Sequence, residues 1–179
     1  GRCVGGAIVG PKVLLEEKIT PFLRSAGTCL SPFNAWIFLK GLETLHIRME
    51  KHSANATIVA EWLHKNPLVK KTYYPGLEVH PQRNLCLSQQ SAPGGIVSFE
   101  LEGRREAWHI VDSLNLFSIT ANLGDSKSIV THPATTTHGR ISPEKRQSMG
   151  VSEGMLRLSL GLEDSNDLIR DLDMAFQNL

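Results

Sequence analysis

The sequence predicts an α+β domain in which one layer of helices covers a mostly antiparallel sheet. Three observations carry that expectation. Segments 96–101 and 155–160 alternate in side-chain character with the period of a strand that has two different faces. Segments 104–114 and 165–178 repeat apolar residues at helical spacing. Strands and helices also fail to alternate in the strict βαβ rhythm of a parallel sheet.

The elements follow in order. Residues 1–10, GRCVGGAIVG, read as a glycine-rich loop entering a short buried strand at Ala7 to Val9. Pro11 suits the first turn of a helix reaching roughly Arg24, and Gly27 ends it. Ser31-Pro32 is a strong helix start, because Ser caps free amides and Pro has none to satisfy. Apolar residues then recur through Ala35, Trp36, Leu39, Leu42, Leu45, Met49, Ala56, Val59 and Leu63, almost to Pro67. One helix of about 34 residues, roughly 50 Å long, is expected there. Gly41 marks the place for a bend. No charged heptad accompanies the stripe, so it reads as a helix linking two domains and not as a coiled coil.

Beyond Pro67 the texture changes. Val69 to Tyr74 reads as a strand, and 75–95 as loop punctuated by Pro75-Gly76, Pro81 and Pro93-Gly94-Gly95. Ile96 to Leu101 is the clearest strand, with Val97, Phe99 and Leu101 on one face. A helix over Arg104–Leu114, a strand over Leu116–Ala121, a strand over Met155–Leu160 and a helix over Ser165–Asn178 complete the expectation.

Length and composition bound the function. A chain of 179 residues fits one domain, or one domain and a piece of another. Hydrophobic residues at 41% and charged residues at 21% are globular values. A formal charge of +1 provides no field for nucleic acid or an anionic membrane, so neither is expected as a partner. No apolar run reaches the roughly 18 residues that span a bilayer. Cys3, Cys29 and Cys86 are too far apart for a zinc or disulfide framework. A reducing, cytoplasmic setting is expected, with Cys3 and Cys29 as small buried residues. The chain starts at Gly1 and not Met, and a preceding segment is expected.

Few residues point to chemistry. The spacing of Gly1, Gly5, Gly6 and Gly10 matches neither GxGxxG nor a Walker loop. His132 and His138 lack carboxylates at ligand spacing, so local hydrogen bonds are expected and no metal is. Thr135, Thr136 and Thr137 fit loop chemistry equally well. In Met155 to Leu160, alternation puts Leu156, Leu158 and Leu160 on one face and Arg157 with Ser159 on the other. A guanidinium on a rigid strand is a good carboxylate clamp, and a solvated sheet face reads the same way. Asn122, in the sharp turn Ala121-Asn122-Leu123-Gly124-Asp125, either donates to a ligand or caps the turn.

Five blocks then occur in order: SPFNAWIFLKGLETLHIRMEKH, YPGLEVHPQ, GGIVSFEL, NLGDSKSIVTHPATTTH and EGMLRLSLGLED. Together they resemble the cystathionine synthase/lyase and homoserine-sulfhydrylase family of pyridoxal-phosphate enzymes, over essentially the whole chain. The resemblance implies an α/β fold of the aspartate-aminotransferase type, fold type I, of which this is the C-terminal half. Residues 1–50 would be the tail of the large cofactor domain and the start of its connecting helix. Residues 51–179 would be the small C-terminal domain. GRCVGG and ANLGDSKSIVTHPATTTHGR look most like the O-succinylhomoserine sulfhydrylase branch, where Asn122 replaces the serine usual in the cystathionine enzymes and methionine lyase.

On that resemblance the cofactor is pyridoxal 5'-phosphate, held mainly by residues upstream of Gly1. No lysine here matches the Schiff-base lysine; the first is Lys12. Arg157 is the implied α-carboxylate partner, with Asn122 and Leu123 at the adjoining substrate-facing turn. The implied reaction takes an O-acyl-homoserine and sulfide to homocysteine by γ-replacement, in a cytoplasmic homotetramer completed by the N-terminal portion of the same protein. A γ-synthase or lyase acting on cystathionine or methionine is the alternative within the family. A non-catalytic fragment or subunit is the alternative outside it.

Overall fold

The computed structural model describes residues 3–177 and 179. Gly1, and the end of the terminal helix expected at Asn178, lie outside the described residues. The chain divides into two compact units, Gly1–His46 and Ile47–Leu179.

In the first unit, α1 (Lys12–Leu14) continues through a π-helical turn, Leu15–Ile19, into α2 (Thr20–Ala26). Pro11, expected in the first turn, instead caps it at ψ 139°, and Gly27 closes α2 in the left-handed conformation, φ 71°. The segment around Ala7–Val9 forms no strand and is exposed. Helix α3 (Pro32–Glu43) starts where the Ser-Pro signal put it, with Ser31 Oγ accepting from the Asn34 amide at 3.2 Å. The expected single long helix is instead two. Thr44, at φ −114° and ψ 7°, breaks the ladder before α4 (Leu45–Lys65), and Gly41 stays inside α3. The periodic stripe also does not mark continuous burial. Trp36, Leu39 and Leu42 are exposed, whereas Ala56, Val59, Ala60 and Leu63 are fully buried. No described residue of helices α1 to α3 is buried. Cys29, in the loop after α2, is exposed and Cys3 only half-buried, against the expectation for both.

The second unit carries the sheet. Its strands are β1 (Lys71–Tyr73), β2 (Ile96–Glu100), β3 (Ser118–Ile119), β4 (Ile129–Thr131) and β5 (Met155–Ser159). Their spatial order is β1-β2-β5-β4-β3. All neighbours are antiparallel except β3 and β4, so the expected mostly antiparallel sheet is present. Val97, Phe99, Leu156 and Leu158 point from the central strands into one core. There they join Val59 and Leu63 of α4, Ile110 of α6 (Arg104–Ser113), and Leu168 and Leu172 of α8 (Ser165–Gln177). Leucine-sized side chains removed from water this way each contribute on the order of 2 kcal/mol.

Three elements escape the sequence pattern. Helix α5 (Arg83–Gln89) lies within the expected 75–95 loop. Helix α7 (Pro143–Ser148) begins at Ser142-Pro143, the same signal as Ser31-Pro32. Strand β4 is buried at all its residues, so it shows no alternation. Conversely, the strand expected over 116–121 shrinks to two paired residues, which frees 120–124 to turn.

Side chains of α4 tie it to the end of β5. Asn55 Nδ2 donates to the carbonyls of Gly161 (2.9 Å) and Glu163 (2.8 Å). Glu163 in turn accepts from the Ser128 amide and hydroxyl at 2.7 and 2.9 Å. This knot fixes where β4 enters the sheet relative to β5. Among the described residues, no helix is long and apolar enough to cross a membrane.

Candidate functional site around Arg157

Arg157 lies in the middle of β5, opposite Ser98 of β2 and Thr131 of β4. Its guanidinium is half-buried on the face away from the leucines. Nη2 donates to the Ala121 carbonyl at 2.9 Å and reaches the Asn122 carbonyl at 3.4 Å and Thr131 Oγ1 at 3.5 Å. Carbonyls at the end of β3 leave the strand ladder and need new donors; the guanidinium provides them. Nε and Nη1 have no partner among the described residues, and no described carboxylate pairs with Arg157. One nitrogen thus orients the planar fork while its other donors remain for a ligand.

The two residues flanking Arg157 hold the same turn. Thr131 Oγ1 donates to the Thr120 carbonyl at 2.5 Å. Ser159 Oγ, two residues along β5 and on the same face, accepts from the Gly124 amide at 2.9 Å. Thr131 and Ser159 are each 2% exposed, so the side-chain end of each bond is shielded from water, while Thr120 and Gly124 lie at the surface. Gly124 sits at φ 79°, a backbone conformation that side chains with a Cβ rarely adopt. Asn122 and Leu123, between these fastenings, are exposed at the surface of the turn. The structure therefore brings Arg157 and the backbone of Asn122 together. The sequence does not mark Thr131 and Ser159 as fastenings; the shared face of Ser159 and Arg157 on β5 is the one available signal.

His132 and His138 do not join this site as ligands. His132, 4% exposed, accepts at Nδ1 from Trp108 Nε1 (3.2 Å) and contacts Thr135 Oγ1 at 2.7 Å. Its Nε2 faces the Glu153 carbonyl at 2.9 Å. An indole N–H only donates and a carbonyl only accepts, so this pattern requires the neutral Nε2–H tautomer. Thr136 donates to the His132 carbonyl at 2.8 Å, and Thr137 bonds His138 at 2.9 Å. The expected loop chemistry accounts for both histidines and all three threonines. No described group of three or more His, Cys, Asp or Glu side chains is arranged to hold a metal.

Beside His132, Glu153 bridges Arg104 (2.7 Å to Nε) and the buried Arg146 (2.6 Å to Nη2). The hydrogen bond from Arg104, then that from Arg146, holds the Glu153 carboxyl below its ordinary value. This pair of ion contacts anchors the loop before β5.

Comparison with known proteins places these features in a family. The profile of the Cys/Met metabolism PLP-dependent enzymes matches residues 1–177. O-succinylhomoserine sulfhydrylase of Pseudomonas aeruginosa is 50% identical over 173 residues, covering 96% of this chain and 43% of that protein. L-methionine gamma-lyase of Pseudomonas putida is 40% identical over 179 residues, covering 99% of this chain and 45% of that protein. A solved chain described as an O-acetylhomoserine (thiol)-lyase of Campylobacter jejuni superposes with a TM-score of 0.87 at 42% identity. It is matched over 94% of this chain and 41% of its own, and it carries an N'-pyridoxyl-lysine-5'-monophosphate. The chain thus spans less than half the length of the relatives it matches.

Proposed function

The chain belongs to the Cys/Met metabolism PLP-dependent enzyme family, and on that premise we propose that it is the C-terminal portion of an O-succinylhomoserine sulfhydrylase. The complete enzyme would join an O-acyl-homoserine to sulfide, releasing the acyl group as its acid and yielding homocysteine. Residues 1–50 would belong to the large domain and 51–179 to the small one.

One observation supports the reading most: Arg157 is oriented through Nη2 while Nε and Nη1 have no described partner. Such a fork suits the α-carboxylate of an amino acid, with two parallel charged hydrogen bonds. The family is pyridoxal-phosphate dependent, and the residues present fit the substrate side of that complex rather than its anchor. Lys12, Lys40 and Lys70 sit in surface ion pairs with Glu16, Glu43 and Glu102, not in an enclosed amine pocket. Pyridoxal phosphate, when bound, supplies the electron sink for reaction at Cα and beyond. Arg157 would bind the carboxylate and fix the rotation about the bond to Cα, thereby selecting which Cα substituent is labilised. Orientation of this kind contributes several kcal/mol to lowering a barrier. Asn122 and Leu123 would border the bound substrate from the adjoining turn.

The test is a steady-state assay of the complete enzyme with O-succinyl- and O-acetylhomoserine, each with sulfide or cysteine, and with methionine alone. Homocysteine formed fastest from the succinyl ester and sulfide is the expected result. Faster cystathionine formation from cysteine, or release of methanethiol from methionine as the main activity, would overturn it.

A further inference from the structure

We propose that Thr131 and Ser159 are positioning residues for substrate: they fasten the 120–124 turn on either side of Arg157, so that Asn122 and Leu123 are held at a set distance from the guanidinium. The inference rests on the reading of Arg157 as a carboxylate clamp and deepens it.

Four residues of the turn are tied to three side chains of the sheet. The Thr120 carbonyl goes to Thr131, the Ala121 and Asn122 carbonyls to Arg157, and the Gly124 amide to Ser159. Thr131 is the cross-strand partner of Arg157, and Ser159 is its next neighbour on the same face of β5. The three fastening residues therefore form one rigid patch of adjacent strands. Apart from a 3.4 Å bond from the Thr120 amide to the Val130 carbonyl, the turn's backbone is tied to the sheet edge through β3, which pairs over two residues. Without the Thr131 hydroxyl the Thr120 carbonyl loses its side-chain donor, and without the Ser159 hydroxyl the Gly124 amide loses its acceptor, which a donor-only guanidinium cannot replace. With both in place, one nitrogen of Arg157 serves the remaining two carbonyls. Thr131 also stands 3.5 Å from Nη2, at the outer limit of a hydrogen bond, so its hydroxyl borders the guanidinium on the turn side.

The two hydroxyls have no other assignment. Thr131 Oγ1 bonds the Thr120 carbonyl and borders Arg157, and Ser159 Oγ accepts only from Gly124 among the described residues. A buried hydroxyl bonded to an exposed turn is a device for placing what that turn carries.

The experiment uses the complete enzyme and four variants: Ser159→Ala, Thr131→Val, Thr131→Ser and Arg157→Ala, with Ser159→Ala also combined with Arg157→Ala. Ser159→Ala and Thr131→Val are each expected to raise KM for the O-acyl-homoserine about tenfold, the scale of one buried hydrogen bond, with a smaller fall in kcat. Thr131→Ser should recover most of the KM lost in Thr131→Val. In the Arg157→Ala background, Ser159→Ala should change KM less than about twofold, because the clamp it serves is gone. Unchanged KM in Ser159→Ala, or an equal effect with and without Arg157, would overturn the positioning role while leaving the clamp intact. Should Thr131→Val fail to fold, the Ser159→Ala pair alone decides. If Arg157→Ala itself leaves KM and kcat unchanged, the underlying reading fails instead.

Discussion

Arg157 and Ala121, 36 residues apart in sequence, are joined by a 2.9 Å hydrogen bond from Nη2 to the carbonyl. That bond converts a strand arginine, which on periodicity alone reads equally as a solvated side chain, into an oriented fork. Replacing Arg157 with Ala in the complete enzyme is expected to lower kcat/KM by at least about 2–3 kcal/mol, the scale of a lost charged hydrogen bond. Arg157→Lys should recover only part, because an ammonium cannot reproduce two parallel bonds. Steady-state kinetics on the proposed substrate, an O-acyl-homoserine, would show it, and an unaltered kcat/KM is the contrary outcome.

Gly161 sits where β5 leaves the sheet. A Cβ there would stand 2.5 Å from both the Ser126 carbonyl oxygen and the Ser128 amide nitrogen, and neither backbone atom yields easily. Gly161→Ala is expected to destabilise the fold by roughly 2–4 kcal/mol, through overpacking and loss of the Asn55–Glu163–Ser128 knot. Denaturant unfolding would test this; a change below about 0.5 kcal/mol, the usual surface range, would contradict it.

Glu153 makes a pH-dependent contribution. Its carboxyl is held below the ordinary value of 4.5, first by Arg104 and then by Arg146. A group whose folded pKa is lowered stabilises above its unfolded value and loses that contribution as pH falls through the folded one. Glu153→Gln should therefore be less stable than wild type at pH 7, by about 1 kcal/mol given its partial exposure to solvent. The gap should narrow as pH drops below 4.5. Unfolding curves across pH 7 to about 3 would measure it, and a gap independent of pH would refute the assignment.

Asp171 stitches α8 to the segment before β3. Only 2% exposed, it accepts from the Asn115 amide at 3.0 and 3.1 Å and from the Leu116 amide at 2.9 Å. Asp171→Ala leaves two backbone donors unpaired and is expected to cost about 2–3 kcal/mol. Asp171→Asn, which keeps one acceptor oxygen, should fall between. A shift in thermal midpoint of both variants in that order is the check, and equal midpoints for Ala and wild type would be the failure.

Much of the second unit was legible residue by residue. Val97, Phe99 and Leu101 share a buried face because strand side chains alternate, and the same rule put Arg157 beside Ser159. Ser31-Pro32 names a real helix start, and the equivalent Ser142-Pro143 starts α7, whose six residues carry no apolar period to support the signal. Strand β4 has the opposite character: buried at every residue, it has no polar face to reveal a period. Thr44 and not Gly41 ends α3, which shows that glycine's low propensity is a weak instruction inside an otherwise helical run.

The sequence by itself determined the local alphabet of this protein: the helix starts, the two-faced strands, the ordered blocks of the family and the arginine on β5. These depend on neighbours within a few positions, where sterics and periodicity act directly. The tertiary structure alone decided which stretch of the helical stripe is buried, and which carbonyls Arg157 faces. The first follows from the packing of α4 on the sheet core, and the second from the β5-β4-β3 order, which brings the 120–124 turn beside Arg157. A hydrogen bond between residues 36 apart has no local signature, because its donor and acceptor meet only once β3, β4 and β5 are paired side by side.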